Sequence, residues 1–225
     1  NKKEIEAELV KIRGKDLEQF DVKNKDTADA ILKELSGANF QIVKVEEKLV
    51  KRNPLPPFTT STLQQTAAKR LGFSAKKTML IAQHAYEKGL ITYMRTDSVN
   101  LSQESLVTAK KWLIENLGEK YASQAPRTFV TKSRLAQEAH EAIRPTDAFK
   151  SPEKIKDADE KKLYNLIWSR FLGSQMPQAE FNATKIEIEG KEHLFRANGS
   201  TLVVDGFLKI LPQKFSEKEL PSVAE

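Results

Sequence analysis

The hydrophobic period of this chain changes twice, and that limits its architecture more than any single residue does. At the N-terminal end the apolar residues recur every second position. Ile5, Ala7 and Leu9 share one parity and Val10 and Ile12 the other, as if a bulge switches the face. Phe40 and Ile42, then Val43 and Val45, repeat the pattern. Between about residues 59 and 176 the spacing is helical, and from Ala179 it returns to two, with Phe181 and Ala183, then Ile186 and Ile188. The break NPLPPF at 53–58 marks the first switch, because its three prolines remove backbone donors and bias the chain towards extended structure. The expected fold class is α+β and multidomain. Residues 1–53 and 178–225 would form one β-rich domain from both chain ends, and residues 54–177 an inserted, mostly helical domain.

Local signals divide the middle. Ser61 with Gln64 fits a capping box and Gly72 can close that helix; Ser74 can cap the next, which runs to Gly89. Two short helices about a glycine-containing turn form a helix-turn-helix-like unit. ITYM then reads as a short strand. Ser102 can cap a third helix ended by Gly118, and Ser151-Pro152 and Asp157 or Asp159 offer starts for a helix with one apolar face through Leu163, Leu166, Ile167, Phe171 and Leu172. Near the ends, Asp26 is a candidate cap, Asn198-Gly199 a candidate turn, and LVVDGFLKIL reads as strands around Gly206.

Composition excludes several chemistries. The chain has no cysteine, so disulfides, thiolate metal sites and cysteine nucleophiles are out. No run of about 18 apolar residues suggests a membrane span, and the N-terminus lacks the shape of a signal peptide; a cytoplasmic location is expected. The net charge of +6 is concentrated in residues 54–147, where 13 basic residues face 8 acidic ones. Between Thr59 and Arg95 there are six basic residues and one acid, Glu87. A basic segment on a balanced frame points to a polyanion such as nucleic acid.

Two stretches hold the groups that fit such a partner. GLITYMRTDS, residues 89–98, sets a phenol two positions before a guanidinium. A tyrosine can attack phosphorus, and the planar fork of an arginine matches phosphate oxygens. In extended chain Tyr93 and Arg95 would share a face. In AHEAIRPT, residues 139–146, His140 and Arg144 are four apart and would share a face of a helical turn. On spacing alone an exposed tyrosine and arginine on an ordinary strand, and a solvated helix face, are the favoured readings.

The run PPFTTSTLQQTAAKRLGFSAKKTMLIAQHAYEKGLITYMRTDS, residues 56–98, resembles the active-site region of bacterial type IA DNA topoisomerases, and AQEAHEAIRPTD, residues 136–147, resembles that family's second motif. LYNLIWSRFLGSQM at 163–176 and DGFLKIL at 205–211 add to the likeness. The resemblance implies that Tyr93 is the nucleophile forming a 5′-phosphotyrosyl bond with single-stranded DNA, that Arg95 holds the scissile phosphate, and that His140 binds DNA near the cut. Strand passage and resealing then relax negative supercoils without ATP. Thr96, Asp97, Ser98 and Arg144 fall in the same motifs and are expected at the DNA, with Asp97 orienting His140.

The family's magnesium site lies in a Toprim domain, and no strand-end acidic cluster of that kind occurs here; the one DxD, Asp157-Ala158-Asp159, reads as a helix start. The resemblance therefore implies a central fragment: the family's β-rich arch or gate domain and its tyrosine-bearing helical domain. Its Mg2+, its Toprim domain and its toroid base lie elsewhere in the same polypeptide, and it would be inactive alone. Location with the nucleoid follows from the DNA substrate. Tyr86 and Phe58 are candidate stacking partners for single strands, or core residues. The rival readings are a non-enzymatic helix-turn-helix module that binds duplex DNA and an interaction scaffold.

Overall fold

A computed structural model describes residues 4–18, 20–130, 140–212 and Leu220. The chain divides into two compact units, one built from Asn1–Lys51 and Glu180–Val204, the other from Arg52–Ala179 and Asp205–Gln213. No helix among the described residues is long and apolar enough to cross a membrane.

The first unit is a five-stranded sheet. In chain order its elements are β1 (Glu8–Ile12), β2 (Lys15–Asp16), helix α1 (Lys25–Leu35), β3 (Phe40–Arg52), β4 (Ala179–Gly190) and β5 (His193–Val204), and the sheet order is β2-β1-β5-β4-β3. β1 and β2 meet through Arg13-Gly14, both with positive φ (49° and 77°), the twist that a two-residue hairpin needs. The parity change after Leu9 is a register shift between Leu9 and Lys11 where β1 pairs with β5. Phe181, Ile186 and Ala197 are buried, and Phe40 packs edge-on against Phe195. Asn198-Gly199 is no turn: Asn198 pairs with Lys185 and Gly199 with Thr184 in the β4–β5 ladder, so cross-strand pairing overrides local turn chemistry. Asn24, not Asp26, caps α1.

The second unit packs α2 (Thr60–Leu71), α3 (Ala75–Glu87), α4 (Gln103–Leu117) and α5 (Ala158–Ser174) around one core. Leu63 and Ala67 of α2, Ala82 and Ala85 of α3, and Leu163, Tyr164 and Ile167 of α5 meet there with Phe58, Ile91, Met94 and Ile143. Ser74, Ser102 and Asp157 cap α3, α4 and α5, and Gly72 closes α2 at φ 69°. Thr59, with a reciprocal bond to Thr62, caps α2 in place of Ser61. From Leu163 to Ser174, α5 is buried almost all round, not along one face; only Asn165 and Trp168 escape.

Residues 205–211 are not a strand, and they belong with the helical unit. Gly206–Lys209 is a 3-10 turn, and Leu211 packs so closely on Gly173 of α5 that a Cβ there would lie 2.5 Å from Leu211 Cδ1. Gly206 has φ 48°, and a Cβ on it would lie 2.2 Å from the Gln178 carbonyl oxygen, so only glycine fits this crossing. The motif residues 136–139, and residues 213–219 and 221–225 of the expected β-rich domain, fall outside the described residues.

Candidate active site

The Tyr93 segment leaves α3 at Gly89, whose φ of 65° turns the chain back onto the core. The expected strand at ITYM is a single bridge, Ile91 to Pro145. Pro145 has no N–H to extend a ladder. From Tyr93 onward the alternation survives without the sheet: Met94, Thr96 and Ser98 are buried, while Tyr93, Arg95 and Asp97 are exposed. Met94 is 1% exposed and Tyr93 44%, so the core anchors the segment at one residue and presents the phenol at its neighbour.

The second motif is extended where a helical turn was expected. Ile143 bridges to Phe58 and Pro145 to Ile91, so His140 and Arg144 do not share a helix face. Arg144 turns inward. Its side chain is 13% exposed and lies 2.7 Å from Glu141 Oε2, and it donates to the Pro145 carbonyl at 2.9 Å. Glu141 in turn accepts the Ser102 N–H at 2.6 Å, at the first turn of α4. Burial pushes the Glu141 carboxyl up, but the hydrogen bonds from Arg144 and Ser102 and the Arg144 charge outweigh it and hold the group below its usual range.

A depression of about 370 Å³ collects the rest. Arg95, Thr96 and Asp97 line it from one loop, His140 from the other, and Thr59, Thr60 and Ser61 from the start of α2. A guanidinium, an imidazole and the first turn of a 12-residue helix all favour an anion. Arg95 makes no ion pair among the described residues. Asp97 and His140 share the depression without a hydrogen bond between them. Ser98 is buried (1%), and its hydroxyl accepts the Asn100 N–H, so it serves the backbone. Thr96 likewise accepts the Ser98 N–H.

Two aromatic groups separate here. Phe58 is fully buried beneath Arg170 (4.3 Å from the ring centroid), whereas Tyr86 is 41% exposed and packs edge-on against Tyr93 with centroids 5.3 Å apart. The basic run is less free than its sequence suggests. Lys77 pairs with Asp159 at 2.6 Å and Lys88 with both oxygens of the buried Glu160, acids contributed from α5 far along the chain. Asp157 accepts the Glu160 N–H at 2.8 Å. With Asp157 capping a helix and Asp159 held by lysines, the DxD does not fit a magnesium site, and among the described residues no other group of three or more His, Asp or Glu does.

Comparison with known proteins places the chain in a family. The sequence pattern of the DNA topoisomerase family matches residues 2–225. DNA topoisomerase 1 of Rickettsia felis is 43% identical over 225 residues, covering 94% of this chain and 29% of that protein. The Haemophilus influenzae enzyme of the same name is 41% identical, covering 99% and 26%. The solved topoisomerase I of Thermotoga maritima superposes with a TM-score of 0.77 at 33% identity, over 97% of this chain and 36% of that one. The chain belongs to the bacterial type IA DNA topoisomerase family. It spans roughly a quarter to a third of the length of these relatives.

Proposed function

We propose that this chain supplies the nucleophile and part of the phosphate site of an enzyme that breaks and rejoins one DNA strand. Tyr93 Oη attacks the phosphorus of a single-stranded phosphodiester and the P–O3′ bond breaks. The strand end leaves as a 3′-hydroxyl, taking up a proton in place of the one the phenol loses, and the 5′-phosphate stays on Tyr93. The ester energy is conserved in the adduct, so resealing needs no ATP. Between breaking and resealing, passage of a strand through the gap relaxes negative supercoils. Arg95 offsets charge on the phosphate, and His140 with Ser61 at the start of α2 holds the neighbouring backbone. Arg144, Thr96 and Ser98 act through the frame that presents these groups, not at the DNA itself. The observation that carries the reading is the alternation at 93–98, which buries Met94 and Thr96 while it exposes Tyr93 and Arg95, the latter lining a depression shared with His140.

Mg2+ for the reaction is supplied by another part of the polypeptide, as is the rest of the cleavage site; in support, Asp157 caps α5 and Asp159 is paired with Lys77 and Lys162. By itself this chain binds single strands weakly and cleaves them poorly. The test uses the full-length protein with magnesium and a single-stranded oligonucleotide labelled downstream of the cut. Denaturation should leave label on the wild type and none on Tyr93→Phe, with the linkage to a 5′-phosphate. Label retained by Tyr93→Phe, or no adduct from a folded protein that binds the strand, would overturn the assignment.

A further inference from the structure

The loop that presents Tyr93 and Arg95 has almost no sheet to satisfy it, so its backbone groups need other partners. Two threonine hydroxyls supply them, one at each end. Thr92 Oγ1 donates to the Ala142 carbonyl at 2.7 Å and accepts the Arg144 N–H at 3.0 Å, and its own N–H donates to the Arg144 carbonyl at 2.9 Å. That fixes the residue before Tyr93 to the second motif. Thr60, the first residue of α2, does the corresponding work around Arg95. Its hydroxyl lies 2.8 Å from the Met94 carbonyl and 3.0 Å from that of Thr96, and it accepts the Thr96 N–H at 2.9 Å. The Thr60 N–H donates to the Thr96 carbonyl at 2.9 Å.

A hydroxyl has one proton to give and room to accept as well. Thr60 therefore grips the peptide groups on both sides of Arg95, the carbonyl before it and the amide after it. It does so from α2, whose N-cap is the separate residue Thr59. The grip is specific to an oxygen at that point: a valine would fill the same space and leave the Met94 carbonyl and the Thr96 N–H without their partner.

We propose that Thr60 is a positioning residue for strand cleavage, its hydroxyl setting the backbone from which Arg95 and, one residue beyond the Met94 anchor, Tyr93 reach the phosphate. The proposal rests on Tyr93 being the nucleophile. Because reacting groups displaced by about 1 Å lose on the order of 100-fold in rate, loss of the hydroxyl is felt in the chemical step and not in the capture of DNA.

The experiment compares wild type, Thr60→Val, Thr60→Ser and Tyr93→Phe in the full-length protein. It measures single-turnover adduct formation at saturating oligonucleotide, the Kd for the same strand, and Tm. Thr60→Val should slow adduct formation about 10- to 100-fold, with Kd and Tm close to wild type, and Thr60→Ser should recover most of the rate. Cleavage by Thr60→Val at the wild-type rate overturns the proposal. So does a parallel loss of Kd, Tm and rate, or a Thr60→Ser variant as slow as Thr60→Val. Should Thr60→Val fail to fold, Thr60→Ala removes the hydroxyl with less demand on packing and is read the same way. Adduct on Tyr93→Phe instead condemns the underlying nucleophile assignment, and it is recognised separately because it does not depend on any change at Thr60.

Discussion

Arg144 is bound to Glu141, Nη2 to Oε2 at 2.7 Å, in a pair that closes the second motif onto the start of α4. The pair sets a prediction about stability. Glu141→Ala strips the mostly buried guanidinium and the Ser102 N–H of a charged acceptor, and should cost about 1–3 kcal/mol in chemical unfolding. The pH dependence has a definite sign. The folded carboxyl titrates below its ordinary value of 4.5, so its contribution is present above that value and is lost as pH falls through the lowered one. As pH falls below 4.5 and through the lowered value, the wild type should lose stability relative to Glu141→Gln, which keeps an acceptor but has no charge to protonate. Parallel acid profiles for the two proteins would refute the linkage.

Tyr86 and Tyr93 stand edge-on with ring planes at 67°. Both rings are exposed, so the contact does not build the core; it limits where the Tyr93 phenol can swing. Such pairs contribute about 0.5–1.5 kcal/mol. Tyr86→Ala should therefore slow adduct formation about 2- to 10-fold in the full-length protein, and Tyr86→Phe, which retains the ring, should not. Equal defects in both variants would instead implicate the Tyr86 hydroxyl.

The helix signals in the sequence were legible because their causes are local. A serine side chain can reach the N–H three residues on whatever the rest of the chain does, so Ser74 and Ser102 were found, as were the stops at Gly72 and Gly118. TTSTLQQ offered several hydroxyls at the same spacing, and the capping position was decided by the Thr60 clamp on residues 94–96, which is invisible along the chain. Likewise DGFLKIL has strand-like residues, but Gly206 at positive φ and the packing of Leu211 on Gly173 turn it into a 3-10 segment. In the candidate site, the shared exposed face of Tyr93 and Arg95 was readable from their spacing, whereas Asp97 and the roles of all three came only from the resemblance. The inward turn of Arg144 was not, because arginine suits a phosphate and a buried carboxylate equally well. Its one signal was Glu141, three positions earlier.

Asp157 and Asp159 resemble a metal-binding pair in sequence and serve a helix in the structure. Asp157→Ala removes the cap of α5 and should lower stability by about 0.5–2 kcal/mol. In the full-length enzyme, Asp157→Ala and Asp159→Asn should leave the magnesium concentration needed for half-maximal relaxation unchanged. A shift of that midpoint by either variant would return the pair to consideration as ligands.

Arg170 supplies the opposite case, a buried charge with no carboxylate paired to it among the described residues. Its Nε is buried without a partner, and its nearest supports are the Phe58 ring and the Pro56 carbonyl, 3.4 Å from Nη1. Burial, and then the nearby Arg70 charge, push the guanidinium down to about 10. A base whose value is lowered on folding costs stability wherever it is charged, and that cost is relieved only as pH rises through the lowered value. At neutral pH the penalty is on the order of 3 kcal/mol, and a cation over a ring returns about 0.5–2. Arg170→Met keeps a long, polarisable side chain against Phe58 without the charge, so its Tm should equal or exceed that of the wild type. Arg170→Ala also removes the charge, but it opens a void over the Phe58 ring and should lower Tm. Differential scanning calorimetry at neutral pH separates the two: if Arg170→Met melts as low as Arg170→Ala, the positive charge itself holds Pro56 and Phe58 in place, and the burial cost has been overestimated.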